Sequence, residues 1–458
     1  MSTKQCQPLT QGPIGRGLLL FAWPIFCAEV LAVLDASVNS MWVGRELGDV
    51  ALAALTNANL LWIVLFAAAF GVSMAGSVRV AQCVGKGDIE GAKAAIGTSV
   101  SISGIVSMLC VALMEILARP LLECLGTPTE CLRQAVDYLR ILLLSVPLSY
   151  IYSAVIGALR GAGDSKTALR VSCALIATDV LLNPCFIRGL GPLPALGIVG
   201  PAVATLISQA IGVGGLVGHL YWKHHGLCLH YSDRRLVWAD RSGAWITLRQ
   251  SGPMAVQFLW TTVESMLIIS LVNRFGADTT AAYGVVIQIW NVIAMPAGAL
   301  GVAVTSMVAQ NIGAMRWDRV KRTTCLGLAY GATGSALLVI LAEVLGWVPF
   351  RLFLPAGSPA LVIAGQINHE ATWSLVIYGA YSVWVGVLRA TGVVWVPLLI
   401  SVSVLAVRFP LTDALLSEWH ARAIWLGFPA SAAATGALAV LHGWLSHRAR
   451  VQPQALGT

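Results

Sequence analysis

LAALTNANLLWIVLFAAAFGVSMAGSVRV, residues 52–80, runs for 29 positions with Arg79 as its one charged residue. A helix needs roughly 20 apolar residues to cross about 30 Å of hydrocarbon, so a stretch of this length and character reads as a transmembrane span. Comparable stretches recur along the chain. Turn signals and charges mark spans 1 to 6 near residues 17–43, 52–80, 92–118, 134–158, 168–188 and 195–222. Spans 7 to 12 follow near 252–273, 280–308, 323–348, 362–388, 393–416 and 421–446. The expected fold class is an all-α integral membrane protein of twelve helices. Its expected organisation is an N-terminal six-helix lobe (1–222), a cytoplasmic linker (223–249) and a C-terminal six-helix lobe (250–458).

Composition agrees with that class. Apolar residues make up 57% of the 458 residues and charged residues only 11%, whereas a soluble domain carries about a quarter charged. The apolar run after Arg16 continues past Trp42, longer than the roughly 7 to 15 residues of a cleavable signal, and reads as the first span. The formal charge of +8 does not call for nucleic acid, because basic residues collect in cytoplasmic loops of membrane proteins. With both termini cytoplasmic, 20 of the 29 Lys and Arg residues fall on that side, among them Arg16, Lys86, Lys166, Arg170, Lys223 and Arg319. The expected topology is therefore multi-pass, with both termini cytoplasmic. The linker sequence KHHGLCLHYSDRRLVWADR (223–241) either lies along the headgroups or is a solvated tether. The ten cysteines show no CxxC and no metal-spaced cluster. Cys124 and Cys131 are either bridged on an external loop or unpaired.

The halves resemble one another. AQCVGKGDIEGAK from 81 realigns with AQNIGAMRWDRVK from 309, pairing Gln82 with Gln310 and Gly85 with Gly313. GALRGAG from 157 realigns with GVLRATG from 386, pairing Arg160 with Arg389. Six spans per repeat put both halves into the membrane in the same orientation, related by a pseudo-two-fold along the membrane normal. Such duplication is characteristic of secondary transporters, which hold substrate at the repeat interface. There is no GxxxxGK[ST] phosphate loop for ATP, and no HExxH, nucleophile elbow or paired His/Asp motif for a membrane-embedded enzyme. A sensor or scaffold would not need the acids that lie in mid-membrane.

LRGAGDSKTALR (159–170), WVGRELGDVALAAL (42–55), GLGPLPALGIVGPAVATLISQ (189–209) and the QSGPMAVQ opening of the second half together resemble the multidrug and toxic compound extrusion (MATE) family. The resemblance covers essentially the whole chain, and lies nearer the bacterial DinF-like branch. It implies two lobes forming a V-shaped cavity, with cationic or amphipathic drugs exported against protons or sodium. It implies no other cofactor. The expected partners are a small-molecule substrate and membrane lipid, and a monomer is expected. The alternative on the same architecture is a flippase for lipid-linked precursors, which would need a strongly basic cavity.

A carboxylate in mid-membrane costs roughly 2.5 to 3.5 kcal/mol on insertion scales, so each one is a functional candidate. Span 1 carries Glu29 and Asp35, span 5 Asp179 and span 7 Glu264. Asp35 lies eleven residues after Pro24 and Glu264 eleven after Pro253, counting from prolines read as helix openers, which makes the two acids repeat equivalents. Either can exchange a proton, ligate sodium with neighbouring oxygens, or sit in a fixed hydrogen-bond network. In the related family the span-1 acid occupies the position filled here by Asn39, and span 5 reads Asn then Asp before proline. Here the order is Asp35 then Asn39, and Asp179 then Asn183. Four residues is about one turn, so each acid keeps its face and moves about 6 Å along the axis. Asp35, Asp179, Asn39, Asn183 and Glu264 are the candidate ion-coupling residues. Opposite Asp179 in the repeat stands Arg408, either a partner that blunts Glu264 as a carrier or a snorkelling residue.

Uncharged polar residues inside apolar spans complete the candidates. Asn59, Ser153, Gln257, Gln288 and Asn291, with Glu29, Tyr152 and Tyr381, are assigned to the substrate cavity. Each alone is equally explained by interhelical hydrogen bonding. Trp62, Trp260, Trp290, Trp373 and Trp384 are deep rings that either hold organic cations or pack against helices and lipid. His369 and Glu370 form either a pH-sensitive external gate or a solvated loop.

Overall fold

A computed structural model describes residues 9–189, 194–223, 226–228, 241–355 and 357–455. Among the described residues all regular structure is helical. This is the economical solution in hydrocarbon, where each backbone amide must find its partner within its own segment. Spans 1 and 2 share one run, Ile14–Lys86, of 73 residues. At 1.5 Å per residue it would reach about 110 Å, more than three bilayer cores, so it must be two spans. The break is Gly48, at φ 82° and ψ −175°, a backbone conformation that glycine alone adopts without strain.

Ile89–Cys124, Thr129–Gly161, Ser165–Arg188 and Val199–Trp222 carry spans 3 to 6. Arg241–Val272, Ala277–Gly313 and Trp317–Leu345 carry spans 7 to 9. Span 10 is a broken pair, Pro359–Ala371 and Ser374–Thr391, bent by 55°. Trp395–Trp419 and Arg422–Ala455 are spans 11 and 12. With the first run counted as two spans and the bent pair as one, the fold is the twelve-span arrangement. Two helix starts follow from their caps: the carboxylate of Asp88 accepts from the Gly91 amide at 2.8 Å and that of Asp164 from the Thr167 amide at 2.9 Å.

Two sequence expectations are corrected. Span 7 begins at Arg241, eleven residues before the expected 252 and inside the stretch read as linker. A hydropathy reading stops at polar residues, yet these continue the helix, and Thr247 is fully buried and accepts from Arg79 Nη1 at 3.1 Å. Pro24 and Pro253 lie inside their helices rather than at their openings, since membrane helices tolerate interior proline when neighbours re-satisfy the freed carbonyl. The other linker residues, 224–225 and 229–240, lie outside the described residues.

The chain forms two compact units, one of residues 1–259 and 306–320, the other of 260–305 and 321–458. In the first unit, Gly157 and Gly161 of span 4 press on the backbone of Ser73 and Ser77 in span 2, and Ser73 Oγ donates to the Ser153 carbonyl at 2.6 Å. In the second, Gly386 presses on Gly301 and Thr305, and Ser382 Oγ donates to the Ala297 carbonyl at 3.0 Å. The same small-residue contact is thus built twice. Close backbone approach supplies the dispersion that lipid, itself apolar, cannot supply by exclusion. The second unit also has an aromatic core, in which the Trp290 indole, 7% exposed, donates to Thr372 Oγ1 at 2.7 Å. That ring is therefore packing, not cavity lining. Cys124 and Cys131 are both free thiols.

Within the first unit the paired repeat motifs meet one another. A Cβ on Gly85 would strike the carbonyl of Gln310, and one on Gly313 would strike the carbonyl of Gln82. The Gln310 side chain, fully buried, accepts from the Leu9 amide at 2.8 Å and donates to the Gly161 carbonyl at 2.8 Å. Gly85→Ala should therefore lower stability by about 1 to 3 kcal/mol through forced backbone displacement. Thermal unfolding in detergent measures this, with Gly214→Ala, where nothing lies within 4 Å, as the variant that leaves the melt unchanged.

Candidate functional site

Asp179 is 3% exposed on span 5 and Asn183, one turn later, is fully buried. The Asn183 amide donates to the Asp179 carboxylate and to its backbone carbonyl, both at 3.0 Å. That fixes the Asn183 side-chain oxygen pointing away from its own helix. The Asp35 carboxyl of span 1 lies within hydrogen-bonding reach of Asp179. Thr205 and Ser208 of span 6 also lie beside the Asp179 carboxyl. The interchange of acid and amide order in both spans thus leaves the two acids at one level, facing each other.

Four oxygens in this locus, Oδ1 of Asp35, Asn39, Asp179 and Asn183, are buried and accept no hydrogen bond from the protein. A buried acceptor without a donor costs about 1 to 3 kcal/mol. Four acceptors on two adjoining spans therefore make an acceptor-rich locus, suited to a proton or a hard cation and ill suited to an anion.

Glu29, a turn and a half earlier on span 1, faces a different partner. Its carboxyl interacts with the guanidinium of Arg160 at the end of span 4, and Arg160 also interacts with Tyr152. The Tyr152 hydroxyl shares a 2.8 Å hydrogen bond with Ser172 Oγ. Glu29 and Tyr152 therefore share the electrostatic influence of one guanidinium, that of Arg160.

The second unit places opposite charges where the first places like ones. Arg408 Nη1 stands 3.6 Å from Glu264 Oε1, and its guanidinium lies 4.0 Å from the centroid of the Phe428 ring. Arg408 is 8% exposed, so its charge is held in the protein and does not snorkel to the interface. Since Glu264 corresponds to Asp35 and Arg408 to Asp179, the duplicated pair is acid with acid in one unit and acid with base in the other.

The assigned cavity residues separate. Gln257 is buried, Asn59, Ser153 and Tyr381 are half-buried, and Gln288 and Asn291 of span 8 are exposed. The Tyr381 ring stacks on Trp384 with centroids 5.8 Å apart. His369 Nδ1 lies 3.5 Å from Glu343, and Glu370 pairs with Arg422 at 2.8 Å, so these residues tie helix ends together at the break of span 10. Sequence reasoning missed Thr205, Ser208 and the influence of Arg160 on Glu29. The signal for the first two was present: both are hydroxyls in an apolar span, three residues apart and hence on one face.

Comparison with known proteins bears on this geometry. The MatE family model matches residues 24–185 and 253–412. A "Probable multidrug resistance protein YoeA" of Bacillus subtilis is 30% identical over 441 residues, covering 96% of this chain and 95% of its own. A "FAD transporter" of Shewanella oneidensis is 26% identical over 334 residues, covering 72% of this chain and 73% of its own. A crystal structure described as MATE in the bent conformation superposes with a TM-score of 0.90 at 19% identity, over 99% of this chain and 100% of that one.

Removing the guanidinium leaves the Glu264 side chain, 33% exposed, without its partner, so Arg408→Gln should destabilise the protein by about 1 to 3 kcal/mol. The double variant Glu264→Gln/Arg408→Gln should recover most of that loss in the same thermal melt. Equal destabilisation in single and double variants would show that packing on Phe428, not charge pairing, holds Arg408.

Proposed function

We propose that this chain, which belongs to the MatE family, is a secondary antiporter exporting amphipathic, cationic or aromatic compounds in exchange for protons or sodium. The distribution of Lys and Arg supports cytoplasmic termini, the bacterial relatives support a bacterial inner membrane, and the working unit in this reading is a monomer. The observation that carries the reading is the Asp35–Asp179 pair, whose two unpartnered oxygens are joined by those of Asn39 and Asn183. Two carboxylates repel when both are ionised, and one proton or cation between them removes the repulsion. Release of that ion would loosen the link between spans 1, 5 and 6 and shift the balance between inward and outward states. An ion can shift such a balance only by its differential affinity for the two states.

The Glu264–Arg408 pair supports confining ion exchange to the first unit, because a carboxylate already neutralised by a guanidinium has less to gain from a second cation. The family match argues for transport over catalysis, and the multidrug-resistance relatives argue for drug efflux over lipid-precursor flipping. A second cargo, a dinucleotide flavin, is worth an arm of the test because one relative is named for it.

The test is efflux from vesicles holding the purified protein, with ethidium and separately with FAD, driven in turn by a pH gradient and a sodium gradient. Ethidium efflux on the pH gradient, lost in Asp35→Asn and in Asp179→Asn, is the expected result. Drive by sodium alone with loss in the same variants would assign sodium to the pair. Full activity in both variants would move coupling away from these residues.

A further inference from the structure

A cavity of about 480 Å3 lies wholly within the first unit, at the end of the helices where the N-terminal segment and the linker emerge. Its charged lining is strongly one-sided. Lys166 and Arg170 come from the first turns of span 5, Lys223 from the end of span 6 and Arg319 from the start of span 9, against the single carboxylate of Asp164. That carboxylate is already turned inward to cap its own helix at the Thr167 amide. Arg319 is committed as well, donating from Nη1 to the Gly12 carbonyl at 3.1 Å and from Nε to Asn311 Oδ1 at 3.2 Å. Lys166, Arg170 and Lys223 are exposed and converge from two helices on one opening.

The opposite wall is apolar, formed by Leu20 and Phe21 of span 1 and Met307 of span 8. Leu20 lines the cavity and is still 58% exposed, and the surface continues through Leu19 at 52% and Trp23 at 64%. Apolar side chains this exposed on a transmembrane helix make a surface that acyl chains can cover. The cavity therefore joins a cationic mouth to an exposed apolar strip, the two-part chemistry of a phospholipid and not of a soluble anion. Basic pockets between spans at the cytoplasmic surface are where acidic headgroups gather.

We propose that this cavity binds the phosphate of an anionic phospholipid through Lys166, Arg170 and Lys223, with an acyl chain lying along Leu20 and Trp23. The site is separate from the Asp35–Asp179 pair. It rests on the cytoplasmic placement of the N-terminus put forward above but not on antiport, and its test needs no transport, so loss of efflux and loss of lipid binding are distinguishable.

Purified protein in detergent is titrated with phosphatidylglycerol, with phosphatidylcholine of the same chains and with inorganic phosphate, binding being read by native mass spectrometry and by thermal stability. Phosphatidylglycerol should bind preferentially, and each cation removed should weaken it about fivefold, hence about 25-fold for Lys166→Gln/Arg170→Gln. The control is Arg119→Gln/Arg133→Gln, which removes two exposed charges at the opposite ends of spans 3 and 4 and should change nothing. An unchanged melt of the Lys166→Gln/Arg170→Gln variant in phosphatidylcholine establishes that it folds. Equal losses in the control variant, no loss in the cavity variant, or inorganic phosphate matching the lipid would each overturn the assignment.

Discussion

A polar atom buried among hydrocarbon has no water to fall back on, and that constraint governs this protein at every scale. It makes the backbone helical, because an isolated strand or loop in lipid would strand its amides. It makes each acid within a span a commitment: the group is answered by a partner or it stays chemically available. Four acids stood out in the sequence as mid-membrane candidates, and the structure answers them differently. Glu29 lies under the electrostatic influence of Arg160, Glu264 pairs with Arg408, and Asp35 and Asp179 face each other.

Duplication explains why this difference is informative. The glycine contacts are conserved between the halves in geometry, Gly157 on Ser73 in one and Gly386 on Gly301 in the other, because both halves need the same close approach of backbones. The charged positions carry no such packing demand. Equivalent sites could therefore diverge from a like-charge pair to an opposite-charge pair while the frame around them stayed fixed. An opposite-charge pair is internally balanced and contributes to holding its helices together. A like-charge pair is balanced only by something that comes and goes, which is what an exchange site requires.

The N-terminal segment shows a second use of the same constraint. Leu9, Thr10 and Gly12 precede the first span and offer free backbone groups, and the structure satisfies them with Gln310, Arg316 and Arg319. Those three side chains come from the second-half copy of the motif whose first-half copy supplies Gly85 and Gln82. One motif thus serves as a backbone contact and as a set of donors and acceptors that seats the chain's beginning.

Much of this was legible in the residues alone. Span number and the repeat register followed from apolar length and from paired glycines, because insertion into lipid depends on local composition and little else. The acids on spans 1, 5 and 7 stood out for the same reason. Residues far apart in sequence declare no partners, however: Thr205 and Ser208 became site residues only when span 6 was packed on span 5, and Arg160 bore on Glu29 only once span 4 was packed in the same unit. Local composition also misplaced the start of span 7 and the setting of Pro24 and Pro253, since polar residues and proline are tolerated in a helix once neighbouring helices satisfy them. Composition by itself determined that the chain lives in a membrane and where charge is expensive; only tertiary packing decided which charges are neutralised, because neutralisation is a matter of distance between segments that the order of residues does not contain.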